Sequence, residues 1–176
     1  SRGEYVYLIN SDMAFEPNAL KNAMVQATPN RFITSRLVER GFLASGEHAI
    51  EKDFGSKPSN FRRRDFLRFA GRITEDKSES GGLFMPLLAS RERFLALGGF
   101  PPGNLKSKDL PDYLSGKTVD PAVRGEDLVS DDAAMFNKAR LQGIEIFTQF
   151  NSIAYHFQEG ELQDSLRQRA RSGLMV

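Results

Sequence analysis

The sequence contains no cysteine, which excludes a disulfide framework and a thiolate metal site. It also lacks an excess of either charge, because 24 basic and 23 acidic residues leave a net charge of +1 and no overall attraction to nucleic acid or an anionic membrane. Its longest apolar run, Leu83 to Ala89, is far shorter than the roughly 20 residues of a membrane span. We therefore expect a soluble chain without a signal peptide, compatible with the cytoplasm and possible as a peripheral part of a larger membrane-associated protein.

Apolar periodicity predicts one α/β domain over residues 1–176, with a mixed, mainly parallel sheet and flanking helices. The run from Tyr5 to Ile9 is apolar throughout, which favours a central strand covered on both faces. Long loops are expected over 39–60 and 100–124, where glycine and proline are frequent. The other predicted strands are 32–38, 82–89, 144–150 and 153–157, and the predicted helices are 16–27, 61–73, 91–97 and 133–142. Ser90 is the expected N-cap of the helix over 91–97.

Acidic residues mark two candidate sites. Asp12 follows the first strand, at the end of a sheet where α/β proteins bind ligands. Four carboxylates lie within seven residues at Glu126, Asp127, Asp131 and Asp132, a repulsive arrangement that favours a cation, a basic partner or a raised pKa. The alternative for the second pair is structural, since Ser130 is a good N-cap and acidic residues in a first helical turn favour the helix dipole.

Two further features remain open at the level of sequence. The helix over 61–73 carries five arginines and an apolar face, which indicates either a solvated basic surface or a phosphate-binding patch directed toward Asp12. His156 is one of two histidines, and a lone histidine is more often a packing residue than a ligand.

The order and spacing of these features resemble a GT-A-fold glycosyltransferase of the family 2 type. Gly3-Glu4-Tyr5 followed by Leu8 to Asp12 is similar to the strand that ends in the Asp-x-Asp motif of that family. Gly81-Gly82, Arg91 and Leu97-Gly98-Gly99-Phe100 are similar to its acceptor-side strand, arginine and GGF turn. Asp131-Asp132 stands where the family has a Glu-Asp pair before a helix-ending glycine, here Gly143, and His156 stands where many members carry a late histidine.

This resemblance implies a partial GT-A fold and inverting transfer of a sugar from a nucleoside-diphosphate donor to a saccharide or other hydroxyl acceptor. It implies donor binding by Asn10, Ser11 and Asp12, and a Mg²⁺ or Mn²⁺ ion held by Asp12 and His156. It implies Asp132 as the base, with Asp131 as the second choice, and Gly81, Gly82 and Arg91 on the acceptor side. Gln168 to Ser172 is similar to the Gln-Arg-x-Arg-Trp signature of processive members, with serine in the place of tryptophan.

Several expectations follow from the departures. Asn10 replaces the first aspartate of the motif, and Glu126-Asp127 is a rival acidic pair. The family's nucleotide-binding units have no counterpart before Tyr5, so we expect the acceptor-side part of a catalytic domain, incomplete by itself, whose first strand exposes an edge suited to a homodimer. The alternative is a non-catalytic binding module on a degenerate GT-A scaffold. A nucleic-acid partner is not expected.

Overall fold

The computed structural model describes residues 3–40, 48–82, 84–122 and 127–157. These residues form a mixed α/β domain with a seven-stranded sheet, a small two-stranded sheet and helices on both faces. The strands are β1 (Tyr5–Leu8), β2 (Met13–Phe15), β3 (Arg31–Glu39), β4 (Ile50–Glu51), β5 (Ser78–Ser80), β6 (Leu87–Ser90), β7 (Leu105–Lys106), β8 (Leu128–Val129) and β9 (Glu145–His156). The α-helices are α1 (Ala19–Val25), α2 (Arg63–Ile73), α3 (Arg91–Ala96), α4 (Leu110–Leu114) and α5 (Asp131–Leu141).

The large sheet has the order β1-β6-β3-β9-β2, with β4 beside β3 and β5 beside β9. The α/β prediction is confirmed, but the prediction of a mainly parallel sheet is wrong. Only β3 with β9 and β3 with β4 are parallel pairs in the described sheet, and the four other pairings are antiparallel. The reason is that β6 lies between β1 and β3 and runs antiparallel to both.

The first strand is not central. Among the described strands, β1 pairs only with β6, and its four residues are half-buried rather than covered on both faces. A continuous apolar run cannot by itself distinguish a central strand from an edge strand that is packed against helices. Strand β1 is therefore an edge strand among the described strands.

The two strands predicted over 144–150 and 153–157 form the single strand β9, which contains a bulge. The pairing with β3 passes from Ser35/Gln149 to Arg36/Ile153, so residues 150–152 have no counterpart on β3. The hydroxyl of Ser152 bonds to Ser35 Oγ at 2.7 Å and to the carbonyl of Ala19 at 2.8 Å, which ties the bulge to helix α1. Strands β2 and β5 have three residues each, which is too short for a periodic pattern of apolar residues to predict them.

Alternating residues of β3 face two different cores. Phe32 belongs to a cluster with Leu87 and with Met135 and Phe136 of α5, whereas Ile33 packs with Ala23 of α1. Farther along β3, Val38 packs with Phe66 of α2 in an aromatic cluster that contains Tyr155 and Phe157. Helices α1 and α5 therefore cover opposite faces of the sheet.

The predicted N-caps are confirmed. The Ser90 hydroxyl accepts the backbone N–H of Arg93 at the start of α3, and the Ser130 hydroxyl accepts that of Ala133 at the start of α5. Each serine satisfies a donor that the first helical turn leaves without a partner. In the described ranges, the structure contains no helix with the length and apolarity needed to cross a membrane.

Candidate functional site

Three polar side chains meet at the end of the sheet where β3 and β9 terminate. Glu39 is the last residue of β3, His156 is the last residue of β9, and the two are register partners. Strand β2 brings a third residue to this point, because Met13 pairs with His156 and Asp12 precedes Met13 directly. Parallel strands thus deliver Glu39 and His156, and the turn between β1 and β2 delivers Asp12.

The imidazole of His156 lies between two carboxylates. Its Nε2 atom is 3.0 Å from Oδ2 of Asp12, and its Nδ1 atom is 2.9 Å from Oε1 of Glu39. Burial alone would lower the pKa of His156, but the hydrogen bond to Glu39 and the negative charges of Asp12 and Glu39 outweigh burial and raise it. A protonated ring donates to both carboxylates at once.

The two carboxylates differ in their access to water. The side chain of Glu39 is fully buried, whereas that of Asp12 is 42% exposed. The Asp12 side of the ring is consequently the side that a ligand can reach. Asn10 and Ser11 precede Asp12 in the turn and are exposed.

Asp12 and His156 fit two positions around a divalent cation. Ligands at the roughly 2.1 Å distances of an octahedral ion lie about 3 Å apart when they occupy adjacent positions. The separation of 3.0 Å between Nε2 and Oδ2 is a hydrogen-bond distance that would also allow both atoms to bind one ion. The described ranges contain no group of three His, Asp or Glu residues arranged to hold a metal, so a cation held by Asp12 and His156 would need further ligands from elsewhere.

Asp131 and Asp132 occupy the first turn of α5. Oδ1 of Asp131 accepts the backbone N–H of Asp132 at 2.9 Å, so Asp131 acts as a local cap. Asp132 is half-buried, and burial together with the charge of Asp131 raises its pKa from 3.8 to about 6. A carboxyl group with this pKa is ionised at neutral pH and is a stronger base than an ordinary aspartate.

The start of α5 and the residues beside Asp12 pack against the same buried cluster. Met135 and Phe136 lie in the turn after Asp132 and belong to a buried cluster. Met13, the neighbour of Asp12, and Leu8, the last residue of β1, pack against that same cluster. The two acidic regions that the sequence singled out separately thus border one buried cluster.

The rival acidic pair has a different environment. Asp127 is exposed, has a positive φ of 71° and accepts the Ser107 hydroxyl at 2.8 Å, which fits a residue that shapes a turn. Glu126 lies outside the described residues, as does the segment from Gln168 to Ser172. Of the acidic residues described in this region, Asp132 has the environment best suited to a base.

Close packing against the sheet accounts for the glycine at position 82. Its φ is +89°, and a Cβ atom there would lie 2.3 Å from the hydroxyls of both Thr34 and Thr148. The neighbouring Gly81 donates its N–H to the carbonyl of Ile146 and accepts the Thr148 hydroxyl at 3.3 Å. These contacts fit the close approach of backbone segments that glycine permits.

Arg91 lies at the opposite end of β1 from Asp12. Its N–H donates to the carbonyl of Glu4, and Ser90 before it pairs with Tyr5, the first residue of β1. With Glu4 and Ser90 it lines a separate surface cavity of about 420 Å³. The structure therefore does not group Arg91 with Asp12 and His156.

The basic helix approaches the same end of the domain through its first residues. Phe61, just before α2, stacks on Tyr155 with ring centroids 5.2 Å apart, and Tyr155 precedes His156. Arg64, Arg68 and Arg72 are exposed along the outer side of the helix, and Asp65 lies 3.6 Å from Arg68. This geometry is compatible with a solvated face and does not direct the arginines toward Asp12.

Sequence reasoning missed Glu39. The only signal was a charged residue at the end of an otherwise apolar strand, and its partner lies 117 positions farther along the chain. Searches of the chain against protein-family models and against curated proteins gave no match.

Proposed function

We propose that the chain is the acceptor-side part of a glycosyltransferase that moves a sugar from a nucleoside-diphosphate donor to an acceptor hydroxyl with inversion. The observation that carries the proposal is the contact of Asp12 with His156 at 3.0 Å, at the end of the sheet where β3 and β9 terminate. Two residues named by the resemblance for one metal site, 144 positions apart, are thus adjacent in space.

On the donor side, Asp12 and His156 would hold a Mg²⁺ or Mn²⁺ ion. Such a cation supplies positive charge that stabilises the diphosphate as it leaves. The set of one carboxylate oxygen and one imidazole nitrogen favours Mn²⁺, since imidazole binds transition metals better than it binds Mg²⁺. The exposure of Asp12 leaves room for diphosphate oxygens to approach.

On the acceptor side, Asp132 would remove the proton of the attacking hydroxyl. The hydroxyl oxygen forms a bond to the anomeric carbon while the bond from that carbon to the diphosphate oxygen breaks. The proton passes to the Asp132 carboxylate, and one such displacement inverts the configuration. A pKa of about 6 suits this role, because Asp132 is then ionised near neutral pH and still binds the proton effectively.

A non-catalytic binding module is the second candidate. It is favoured by Asn10 in the place of an aspartate and by the presence of only two metal-ligating side chains at the site in the described residues. Such a module would bind a sugar nucleotide or another partner without turnover.

The proposal is tested by calorimetry on the longest native form of the protein. The titrations measure binding of UDP and of a panel of UDP- and GDP-sugars in the presence and absence of Mn²⁺. We expect metal-dependent nucleotide binding that is lost in Asp12→Asn and in His156→Ala but kept in Asp120→Asn, a control at an exposed aspartate. Nucleotide binding that does not need Mn²⁺ or Asp12 would contradict the metal site. Metal-dependent binding without sugar transfer to any acceptor or to water would favour the module.

A further inference from the structure

Glu39 is a buried carboxylate whose role is not explained by the ligands of the proposed site. Its side chain has no exposed surface, and Oε1 lies 2.9 Å from Nδ1 of His156. We propose that Glu39 is a positioning residue that keeps a proton on Nδ1 and thereby presents the unprotonated Nε2 atom to the space beside Asp12. Only the consequence for metal binding rests on the proposed function.

The first step of the argument is the fixed geometry of the pair. Glu39 and His156 are register partners on the parallel strands β3 and β9, whose ladder runs over nine residue pairs. Both backbones are held by this ladder, so only the side-chain torsions of Glu39 and His156 remain to be ordered when the contact forms. Little entropy is then lost in forming the contact, and the imidazole plane is fixed relative to the sheet.

The second step is a competition between two carboxylates for one proton. A neutral imidazole carries a single N–H, and both Glu39 and Asp12 lie within hydrogen-bonding distance of a ring nitrogen. Asp12 is 42% exposed and can be hydrated, whereas Glu39 is fully buried and would lose more by giving up a donor. The single proton therefore stays on Nδ1.

The third step concerns the atom left on the other side of the ring. With Nδ1 protonated, Nε2 carries a lone pair directed toward Asp12, which is the form of imidazole that binds a metal ion. A partner that donates to Nδ1 would reverse the arrangement and place a hydrogen atom between Nε2 and Asp12. The charge of Glu39, and not merely its volume, selects the metal-binding tautomer.

The test is the ¹⁵N NMR spectrum of the imidazole rings, which reports which nitrogen carries the proton. The sequence contains two histidines, so a His48→Gln variant assigns the signals. With the ring neutral and no metal present, we expect the Nδ1-protonated form in the wild type. In Glu39→Gln the amide can donate to Nδ1, and we expect the Nε2-protonated form and an affinity for Mn²⁺ that is roughly 10- to 100-fold lower.

Two matched variants separate charge from structure. Glu51→Gln changes an exposed glutamate that pairs with Glu39 on β4, and we expect no effect on the ring or on Mn²⁺ binding. Glu39→Asp keeps the charge and should retain more of the Nδ1-protonated form than Glu39→Gln does.

The outcomes are distinct. An Nε2-protonated ring in the wild type would overturn the proposal, even if the Glu39 variants failed to fold. An unchanged tautomer in folded Glu39→Gln would overturn it as well. The expected tautomers together with no affinity for Mn²⁺ would support the positioning role and contradict the proposed function.

Discussion

Nε2 of His156 lies 3.0 Å from Oδ2 of Asp12, although the two residues are 144 positions apart in the sequence. The contact forms because β2 turns back immediately after Asp12 and pairs Met13 with His156. The β1–β2 turn and the last strand of the described chain thus share one end of the sheet. That relationship, together with the raised pKa of Asp132, leads to tests of function and of stability.

Replacing the proposed base should remove turnover and spare donor binding. In Asp132→Asn the side chain keeps nearly its shape but cannot accept the proton, and we expect sugar transfer to fall by roughly 10² to 10⁴-fold. Release of nucleoside diphosphate from the donor found to bind measures turnover, and calorimetry measures binding. Asp120→Asn is the control, and undiminished turnover in Asp132→Asn would remove this residue from the mechanism.

The same substitution should change the pH dependence of stability. The pKa of Asp132 is about 6 in the folded protein and 3.8 as the ordinary value, so the folded state binds this proton more tightly than the unfolded state does. The contribution of Asp132 to the free energy of unfolding therefore decreases as the pH rises from about 4 to about 6. At higher pH this loss of stability remains constant. We expect Asp132→Asn to unfold at a higher temperature than the wild type at pH 8 and at nearly the same temperature at pH 4. Thermal unfolding at both values is the measurement, and a variant that is less stable at pH 8 would contradict the raised pKa.

Asp131 should influence the activity profile through its charge. It is the second cause of the raised pKa of Asp132, after burial. In Asp131→Asn the pKa of Asp132 should move toward its ordinary value, so the acid limb of the pH profile of kcat/KM should shift to lower pH. Initial rates between pH 4.5 and 8 would show the shift, and an unmoved limb would assign that ionisation to another group.

Gly82→Ala should destabilise the sheet much more than Gly116→Ala. Both glycines have a φ near +90°, but an added Cβ at Gly82 would lie 2.3 Å from two threonine hydroxyls, and one at Gly116 meets nothing within 4 Å. Gly116→Ala therefore measures the cost of the backbone conformation alone. We expect the additional loss at Gly82 to be about 2 kcal/mol or more, measured by urea unfolding. Equal losses in the two variants would show that the segment around Gly82 moves away from the two threonines freely.

Removal of the Tyr155 hydroxyl should weaken the aromatic core beside the site. This hydroxyl donates to the carbonyl of Gly55 at 2.7 Å and accepts the N–H of Phe54 at 2.9 Å, so Tyr155→Phe leaves two buried backbone groups without this partner. We expect a loss of about 1 to 3 kcal/mol in the free energy of unfolding. Tyr113→Phe is a graded control, because its hydroxyl makes a single bond to the carbonyl of Gly99, and the loss there should be smaller.

Local sequence determined most of the elements and two of the three residues at the centre of the site. The period of apolar residues located β3, α2 and α5, and the serines at 90 and 130 marked the starts of two helices. These features depend on neighbours within a few positions, so a linear pattern contains them. Asp12 and His156 were selected by the order of motifs, and their proximity is a finding of the structure.

Only the tertiary structure decided the order of the strands, the bulge in β9 and the role open to Glu39. It also distinguished Asp132, which is half-buried and has a raised pKa, from the exposed Asp127 in its turn. Each of these properties depends on burial and on contacts between distant residues, such as the pairing of Glu39 with His156 across 117 positions. Hydrophobic periodicity specifies which face of an element is buried but not which element covers it, so the sequence predicted the strands and the sheet decided which side chains meet.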